Sequence, residues 1–131
     1  MNRDMQLKLA MNTPYFGYSG IEIVETEEGF ARLKLGFKGE LTRPFGYFHG
    51  GAIASLADAA GINAVMTMLH DDEKALTLEM KVNYLQAAKD FAIHGEGKVI
   101  HRSKKFAVAD VNVSSDDGRL VAKAIVTCAI V

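Results

Sequence analysis

The chain has very little cysteine and no excess of charge of either sign. One cysteine in 131 residues excludes a disulfide framework within the chain. This residue, Cys128, lies in the apolar stretch 124–131, where a buried structural thiol is favoured over a nucleophile. With 15 basic and 16 acidic residues the net charge is -1, so there is no broad basic field to attract a nucleic acid. The composition therefore favours a small-molecule partner and no nucleic acid.

Motifs for metals and phosphates are also missing. The chain contains neither a phosphate-cradling P-loop nor the glycine fingerprint of a dinucleotide-binding fold. The chain has four histidines: His49, His70, His94 and His101. They do not have the paired spacing of zinc ligands. We therefore predict no metal and no cofactor.

No linker or low-complexity tract divides the chain. A length of 131 residues with 49% hydrophobic content fits a single domain, residues 1–131, with a real core. The N-terminus interrupts its apolar positions with charge, unlike a secretory signal. Residues 52–69 are apolar enough to suggest a membrane span, but Asp58, Asn63 and three small polar residues argue against contact with lipid. We expect a soluble cytoplasmic protein.

The periodicity of apolar residues predicts one central helix and a long antiparallel sheet. Residues 2–11 suit a short amphipathic helix that covers the periphery within residues 1–15, with Pro14 as a stop. Residues 39–48 contain two glycines and a proline and indicate a loop. Alternating or extended runs predict strands at 21–26, 30–37, 75–85, 91–100, 105–113 and 120–130. We expect an α+β fold in which a curved sheet wraps around the helix at 50–69.

Asp58 is the one acid in that helix and the only charged residue between Arg43 and His70. Because taking an unpaired carboxylate out of water costs free energy, an acid is seldom placed in an apolar segment by default. Asp58 could act as a nucleophile toward an acyl carbon or as a general base on water. The structural alternative is a hydrogen-bonding partner that fixes the helix packing.

Gly50 and Gly51 start the same helix, where amide N–H groups lack intrahelical acceptors and can hold an oxyanion. The alternative is a glycine turn in a crowded core. Gly50 and Asp58 are eight residues apart, which is roughly 12 Å along a helix. One carbonyl cannot readily touch both, but two antiparallel helices across a two-fold axis would bring Gly50 of one subunit near Asp58 of the other. The chemistry therefore requires at least a dimer.

Three further features are weaker candidates. His49 directly precedes the glycines and is favoured as a positioning group over a general base. The Thr77 hydroxyl, on the strand after the helix, could orient water or a carboxylate, although a strand threonine needs no function. The cations of the turn 101–105 could meet nucleotide phosphates, and an ordinary solvated turn is an equal alternative.

The segment Gly46-Tyr-Phe-His-Gly-Gly-Ala-Ile-Ala-Ser-Leu-Ala-Asp58 resembles the signature of hotdog-fold acyl-CoA thioesterases, in particular the phenylacetate-degradation (PaaI-like) subgroup. The resemblance runs from about Ile21 to the C-terminus. It implies a hotdog fold, hydrolysis of an acyl-CoA to a carboxylic acid and coenzyme A, and no cofactor beyond the coenzyme A of the substrate. The separation of Gly50 and Asp58 predicts an obligate homodimer, and the strand-rich surface allows dimers to pair into tetramers.

The same resemblance implies roles for single residues. The Gly50 amide polarises the thioester carbonyl, with Gly51 beside it, and Asp58 of the neighbouring subunit is nucleophile or general base. His49 orients this region, and Thr77 helps to position the attacking water. In the later turn, Arg102 and Lys104 correspond to a region that meets coenzyme A phosphates.

Arg43 departs from the family pattern, because related enzymes often carry Asn or Gln seven residues before the first glycine. The arginine could bind a carboxylated acyl group, contact a coenzyme A phosphate or turn into solvent. Its presence motivates an alternative function, a non-catalytic acyl-CoA binding or regulatory protein. A hydratase is disfavoured, since His49 and Asp58 lie on nearly opposite sides of the helix.

Overall fold

The computed structural model describes all 131 residues and contains three α-helices and six strands. The helices are α1 (Arg3–Met11), α2 (Pro14–Ser19) and α3 (Gly50–Met66). The strands are β1 (Ile21–Glu27), β2 (Phe30–Leu35), β3 (Ala75–Tyr84), β4 (Ile93–Arg102), β5 (Phe106–Ser115) and β6 (Leu120–Ile130). The loop predicted for 39–48 contains two 3-10 turns, Gly39–Leu41 and Pro44–Gly46. None of the helices combines the length and the apolar character that a membrane span requires.

All six strands form one antiparallel sheet in the order β1-β2-β4-β5-β6-β3, and α3 packs on one face of it. The alternating burial of β5 and β6 produces this arrangement, because every second residue faces the helix and is buried. The predicted hotdog fold is confirmed. The strand predicted for 91–100 starts at Ile93 and extends to Arg102, past a bulge between Val99 and His101.

Helix α3 approaches β4 closely because the strand offers glycines beneath it. A Cβ placed on Gly97 would lie 2.4 Å from the carbonyl oxygen of Ala60, and one on Gly95 would lie 3.1 Å from the Ala60 Cβ. The obstacle at Gly97 is helix backbone, which cannot rotate away as a side chain can. These glycines therefore set the distance between the helix and the sheet.

We expect Gly97→Ala to lower the free energy of unfolding by about 2 kcal/mol or more, because the added methyl group displaces the helix backbone. Urea unfolding monitored by circular dichroism measures this. Gly36→Ala is the matched control, since its Cβ would meet no atom within 4 Å, and we expect a change within about 0.5 kcal/mol. Equal stability of the two variants would contradict the close approach.

The N-terminal segment is bonded to α3 and to the residues that follow it. The terminal ammonium donates to the carbonyl of Leu69 at 2.8 Å, and Gln6 Nε2 donates to the carbonyl of Asn63 at 2.9 Å in a buried position. The sequence pattern missed α2, because Pro14 occupies the first turn of that helix and does not simply end a structured segment. Residues 3–19 thus form a two-helix cover over one side of α3.

Candidate functional site

His49 caps the N-terminus of α3 with its own side chain. Its Nδ1 accepts the N–H of Gly51 at 2.8 Å. The His49 carbonyl accepts from the amides of Ala52 and Ile53. This cap occupies the Gly51 N–H that the sequence offered as a substrate contact, and a positioning role of His49 in catalysis stays a prediction.

The neighbouring amide, that of Gly50, has no acceptor. Phe48 N–H donates to the carbonyl of Ala88 at 2.8 Å, and His49 N–H donates to the carbonyl of Leu41 at 2.7 Å. With the donors of residues 51–53 also bonded, Gly50 is the only residue between 48 and 53 whose N–H is unpaired. A free N–H at the start of a 17-residue helix is a suitable donor for a developing oxyanion.

Asp58 lies on α3 and is held by β3. The Thr77 hydroxyl donates to Asp58 Oδ1 at 2.7 Å, while Oδ2 has no hydrogen-bond partner in the protein. Asp58 is half-buried in the single chain. Thr77, a weak candidate from sequence, is the residue that orients the carboxylate.

Asp58 borders a cavity of about 290 Å³ between α3 and the N-terminal cover. The apolar part of the wall consists of Leu9, Ala10, Tyr15, Phe16, Ala59, Ile62 and Met66. At one side the Tyr15 hydroxyl and the Ser55 hydroxyl are 2.7 Å apart. The cavity is about twice the size of an engineered cavity that holds benzene, so it can accept an acyl group of moderate size next to a carboxylate.

Cys128 lies directly across from Thr77 in the β3–β6 register and is fully buried, as predicted. Burial raises the pKa of its thiol, and the charge of Asp58 raises it further against the lowering effect of a hydrogen bond with Thr77. The thiol therefore stays neutral and does not serve as a nucleophile.

Gly50 and Asp58 lie on one uninterrupted helix, so the rise of roughly 1.5 Å per residue applies over their whole separation. The two groups remain about 12 Å apart within a chain. The structure does not bring them together on one carbonyl in a single subunit.

Cations cluster close to Gly50. Arg43 lies 5.0 Å from the ring centroid of Tyr47, and Lys89 is also 5.0 Å from that centroid. Arg43 and Gly50 line the same open pocket, together with Tyr84. The sequence pattern singled out Arg43 but missed Lys89, whose contact depends on the fold bringing residue 89 back to the loop before α3.

The turn 102–104 provides less free charge than its sequence suggests. Arg102 Nη2 lies 2.9 Å from Glu73 Oε1, with side-chain exposures of 18% and 20%. The His70 N–H, and then Arg102, hold the pKa of Glu73 below its usual value against a raising effect of burial. Lys104 is exposed and takes part in no ion pair. A phosphate at this turn would have to compete with Glu73 for Arg102.

Within one chain this turn is also remote from Gly50. On β4, Gly95 packs near Leu56 and Gly97 near Ala60, so the strand runs along α3 from its N-terminal toward its C-terminal half. Arg102 follows further along the strand, toward the end of α3 opposite Gly50. Only another subunit could bring the two together.

Side chains that bind metals do not cluster. No group of three or more His, Cys, Asp or Glu residues is arranged to hold a metal ion. His94 is instead paired with Asp116, at 2.7 Å.

Comparison with known proteins finds thioesterases and esterases among those similar to this chain. The profile of the "Thioesterase superfamily" matches residues 45–122. "Putative esterase SSO1253" of Saccharolobus solfataricus is 38% identical over 112 residues, which is 86% of this chain and 74% of that protein. The 1,4-dihydroxy-2-naphthoyl-CoA hydrolase of Listeria monocytogenes is 29% identical over 78% of this chain and 83% of its own length. The structure of the E. coli PaaI protein has a TM-score of 0.87 at 22% identity, over 97% of this chain and 92% of that one, and supports the fold alone.

Proposed function

The chain belongs to the thioesterase superfamily, and from this we propose that it hydrolyses an acyl-CoA thioester to a free carboxylic acid and coenzyme A. The observation that carries the proposal is the unpaired Gly50 N–H at the start of the helix that also holds Asp58. An oxyanion donor and a carboxylate that acts as base or nucleophile can together catalyse attack on an acyl carbon. The cavity beside Asp58 adds space for the acyl group.

In the proposed reaction the thioester carbonyl oxygen accepts the Gly50 N–H of one subunit, and the free oxygen of Asp58 from a second subunit faces the carbonyl carbon. Asp58 either removes a proton from water as the water oxygen attacks, or attacks the carbon itself to form an anhydride that water then opens. In both cases the C–S bond breaks and the sulfur leaves as the coenzyme A thiolate. Label found in the Asp58 carboxylate after a single turnover in ¹⁸O-water would establish the anhydride route, with water attacking the aspartyl carbonyl.

We propose that the working unit is a homodimer. The separation of Gly50 and Asp58 requires a second helix, and β3 is an edge strand with an unpaired row of backbone groups. Leu76 and Leu78 on this strand are 55% and 58% exposed, which is costly for an edge left in water. Pairing two β3 edges about a two-fold axis would cover them and create two equivalent sites. Pairing of dimers into tetramers stays a prediction.

Assignment to the PaaI-like subgroup also stays a prediction. The two relatives named above are an esterase by name and a 1,4-dihydroxy-2-naphthoyl-CoA hydrolase, whereas the PaaI likeness concerns the fold. The acyl group must therefore be found by assay.

The decisive assay is release of free thiol from a panel of aromatic and aliphatic acyl-CoAs by the wild-type protein. Turnover that saturates with substrate supports the proposal. Saturable binding of acyl-CoA without thiol release over hours would contradict it and favour the non-catalytic acyl-CoA binding alternative.

Arg43 provides a test of where the nucleotide part of coenzyme A binds. Because Arg43 and Lys89 flank Tyr47 next to the Gly50 pocket, we expect the pair to contact phosphate groups. Arg43→Ala should raise KM for acyl-CoA about tenfold and leave kcat within about twofold, since a remote charge contact acts equally on substrate and transition state.

The control for the Arg43→Ala variant is an assay with a truncated substrate. This substrate is the N-acetylcysteamine thioester of the same acyl group, which lacks the phosphates of coenzyme A. Its kcat/KM should be equal in wild type and Arg43→Ala. Lys8→Ala, which removes an exposed cation on α1, should change neither substrate. An equal loss on both substrates in Arg43→Ala would instead place Arg43 against the acyl group.

A further inference from the structure

Tyr84, at the end of β3, contacts the start of α3 at the glycine pair. Its hydroxyl donates to the Gly50 carbonyl at 3.0 Å. Its ring lies against Gly50, where a Cβ would be 3.5 Å from the Tyr84 Cζ. Neither contact belongs to the helix itself, and neither was predicted from the sequence pattern.

The Gly50 carbonyl and the Gly51 N–H belong to one peptide group, which is planar and rigid. Tyr84 holds the oxygen end of this group at 3.0 Å and His49 Nδ1 holds the hydrogen end at 2.8 Å. Both polar ends of this peptide are therefore hydrogen-bonded by side chains from two different parts of the chain. We call this arrangement of His49, Tyr84 and the Gly50–Gly51 peptide the peptide clamp.

The peptide clamp restricts backbone motion at a position where the chain would otherwise be mobile. Two consecutive glycines lose more backbone freedom on ordering than any other pair, and the first turn of a helix tends to fray. The free N–H of Gly50 is joined to the clamped peptide through a single Cα, so once that peptide is fixed only the φ and ψ angles of Gly50 set the direction of the N–H. The His49 N–H on the other side is fixed by the Leu41 carbonyl at 2.7 Å.

We infer that Tyr84 is a positioning residue: its hydroxyl, with the His49 ring, holds the Gly50–Gly51 peptide so that the Gly50 N–H points at the reacting carbonyl. This inference rests on the proposed function for its effect on rate. Preorganised donors stabilise a transition state because they need not reorient when charge develops. Tyr84 acts through Gly50 and contributes to kcat, whereas a contact to the bound substrate would contribute to KM.

Tyr84→Phe is the direct test, since it keeps the ring against Gly50 and removes only the hydroxyl. We expect kcat to fall about tenfold with KM within about twofold, the effect of one neutral hydrogen bond. Tyr18→Phe is the matched control, because Tyr18 is 78% exposed and its hydroxyl forms no hydrogen bond in the protein; it should match wild type. An unchanged kcat in Tyr84→Phe, or an equal loss in both variants, overturns the inference.

Two further readouts separate positioning from general stability. Because His49 and Tyr84 act on one peptide, the double variant His49→Ala/Tyr84→Phe should lose less than the product of the two single losses. Amide exchange of Gly51 measured by NMR should be about three- to tenfold faster in Tyr84→Phe, with exchange in the middle of α3 unchanged. Unchanged Gly51 exchange contradicts the clamp. Absence of thiol release by the wild type contradicts the proposed function, and Gly51 exchange still decides the clamp in that case.

Discussion

Asp58→Asn should lower kcat for acyl-CoA hydrolysis by about a thousandfold while the protein keeps its fold. An amide cannot take a proton from water and is no nucleophile, and the loss of a positioned general base typically costs a factor of about 10² to 10⁴. In the wild-type protein the Thr77 hydroxyl donates a hydrogen bond to Asp58 Oδ1 at 2.7 Å. The side-chain oxygen of an asparagine can accept the same hydrogen bond. The packing between α3 and β3 should therefore survive.

Thiol release under single-turnover conditions measures the loss of rate, and thermal unfolding measures whether the fold is kept. Asp72→Asn is the control, because it removes an exposed acid beyond α3 and should leave the rate unchanged. If Asp58→Asn keeps wild-type activity, Asp58 has only the structural role of holding β3 to the helix. If it unfolds the protein, Asp58→Ala in combination with Thr77→Val removes both partners and tests the catalytic role without an unpaired hydroxyl.

The sequence predicted the fold well because its strands alternate strongly and its central helix is apolar. The strand at 120–130 was predicted with its observed bounds, since its inward residues are nearly all buried. The glycines of β4 are consistent with this packing, because they allow α3 to approach the sheet closely. Local pattern and tertiary packing agree in these segments.

The site was only partly predictable, because its hydrogen bonds join residues distant in sequence. Glu73 neutralises Arg102 across 29 positions, and Tyr84 reaches Gly50 across 34. Neither pairing leaves a local signal, whereas the cap of His49 on Gly51 spans two positions. The sequence therefore indicated the glycine turn and Asp58, and the structure adds the groups that orient them.

Gly50→Pro should lower kcat by about 10² to 10³ without unfolding the protein, because it removes the proposed oxyanion donor and fills its place. Proline is well tolerated at the first position of a helix, and His49 has φ -63 and ψ 138, the extended conformation that a residue before proline prefers. Gly50→Ala keeps the N–H, and its Cβ would make only ordinary contacts with Tyr84 at 3.5 to 3.6 Å, so its loss should stay below about tenfold. Comparable losses in both variants would show that the N–H itself is not used.

The two inactive variants together test whether the site is shared between subunits. If Gly50 of one chain works with Asp58 of another, a mixed dimer of Gly50→Pro and Asp58→Asn chains has one site with both defects and one with none. Unfolding and refolding the variants in equal amounts makes about half of the dimers mixed, so activity should recover to about a quarter of wild type. A site contained within one chain cannot recover, because each chain carries a defect. Recovery would thus establish that Asp58, half-buried on its own helix, acts on a carbonyl held by the Gly50 amide of its neighbour.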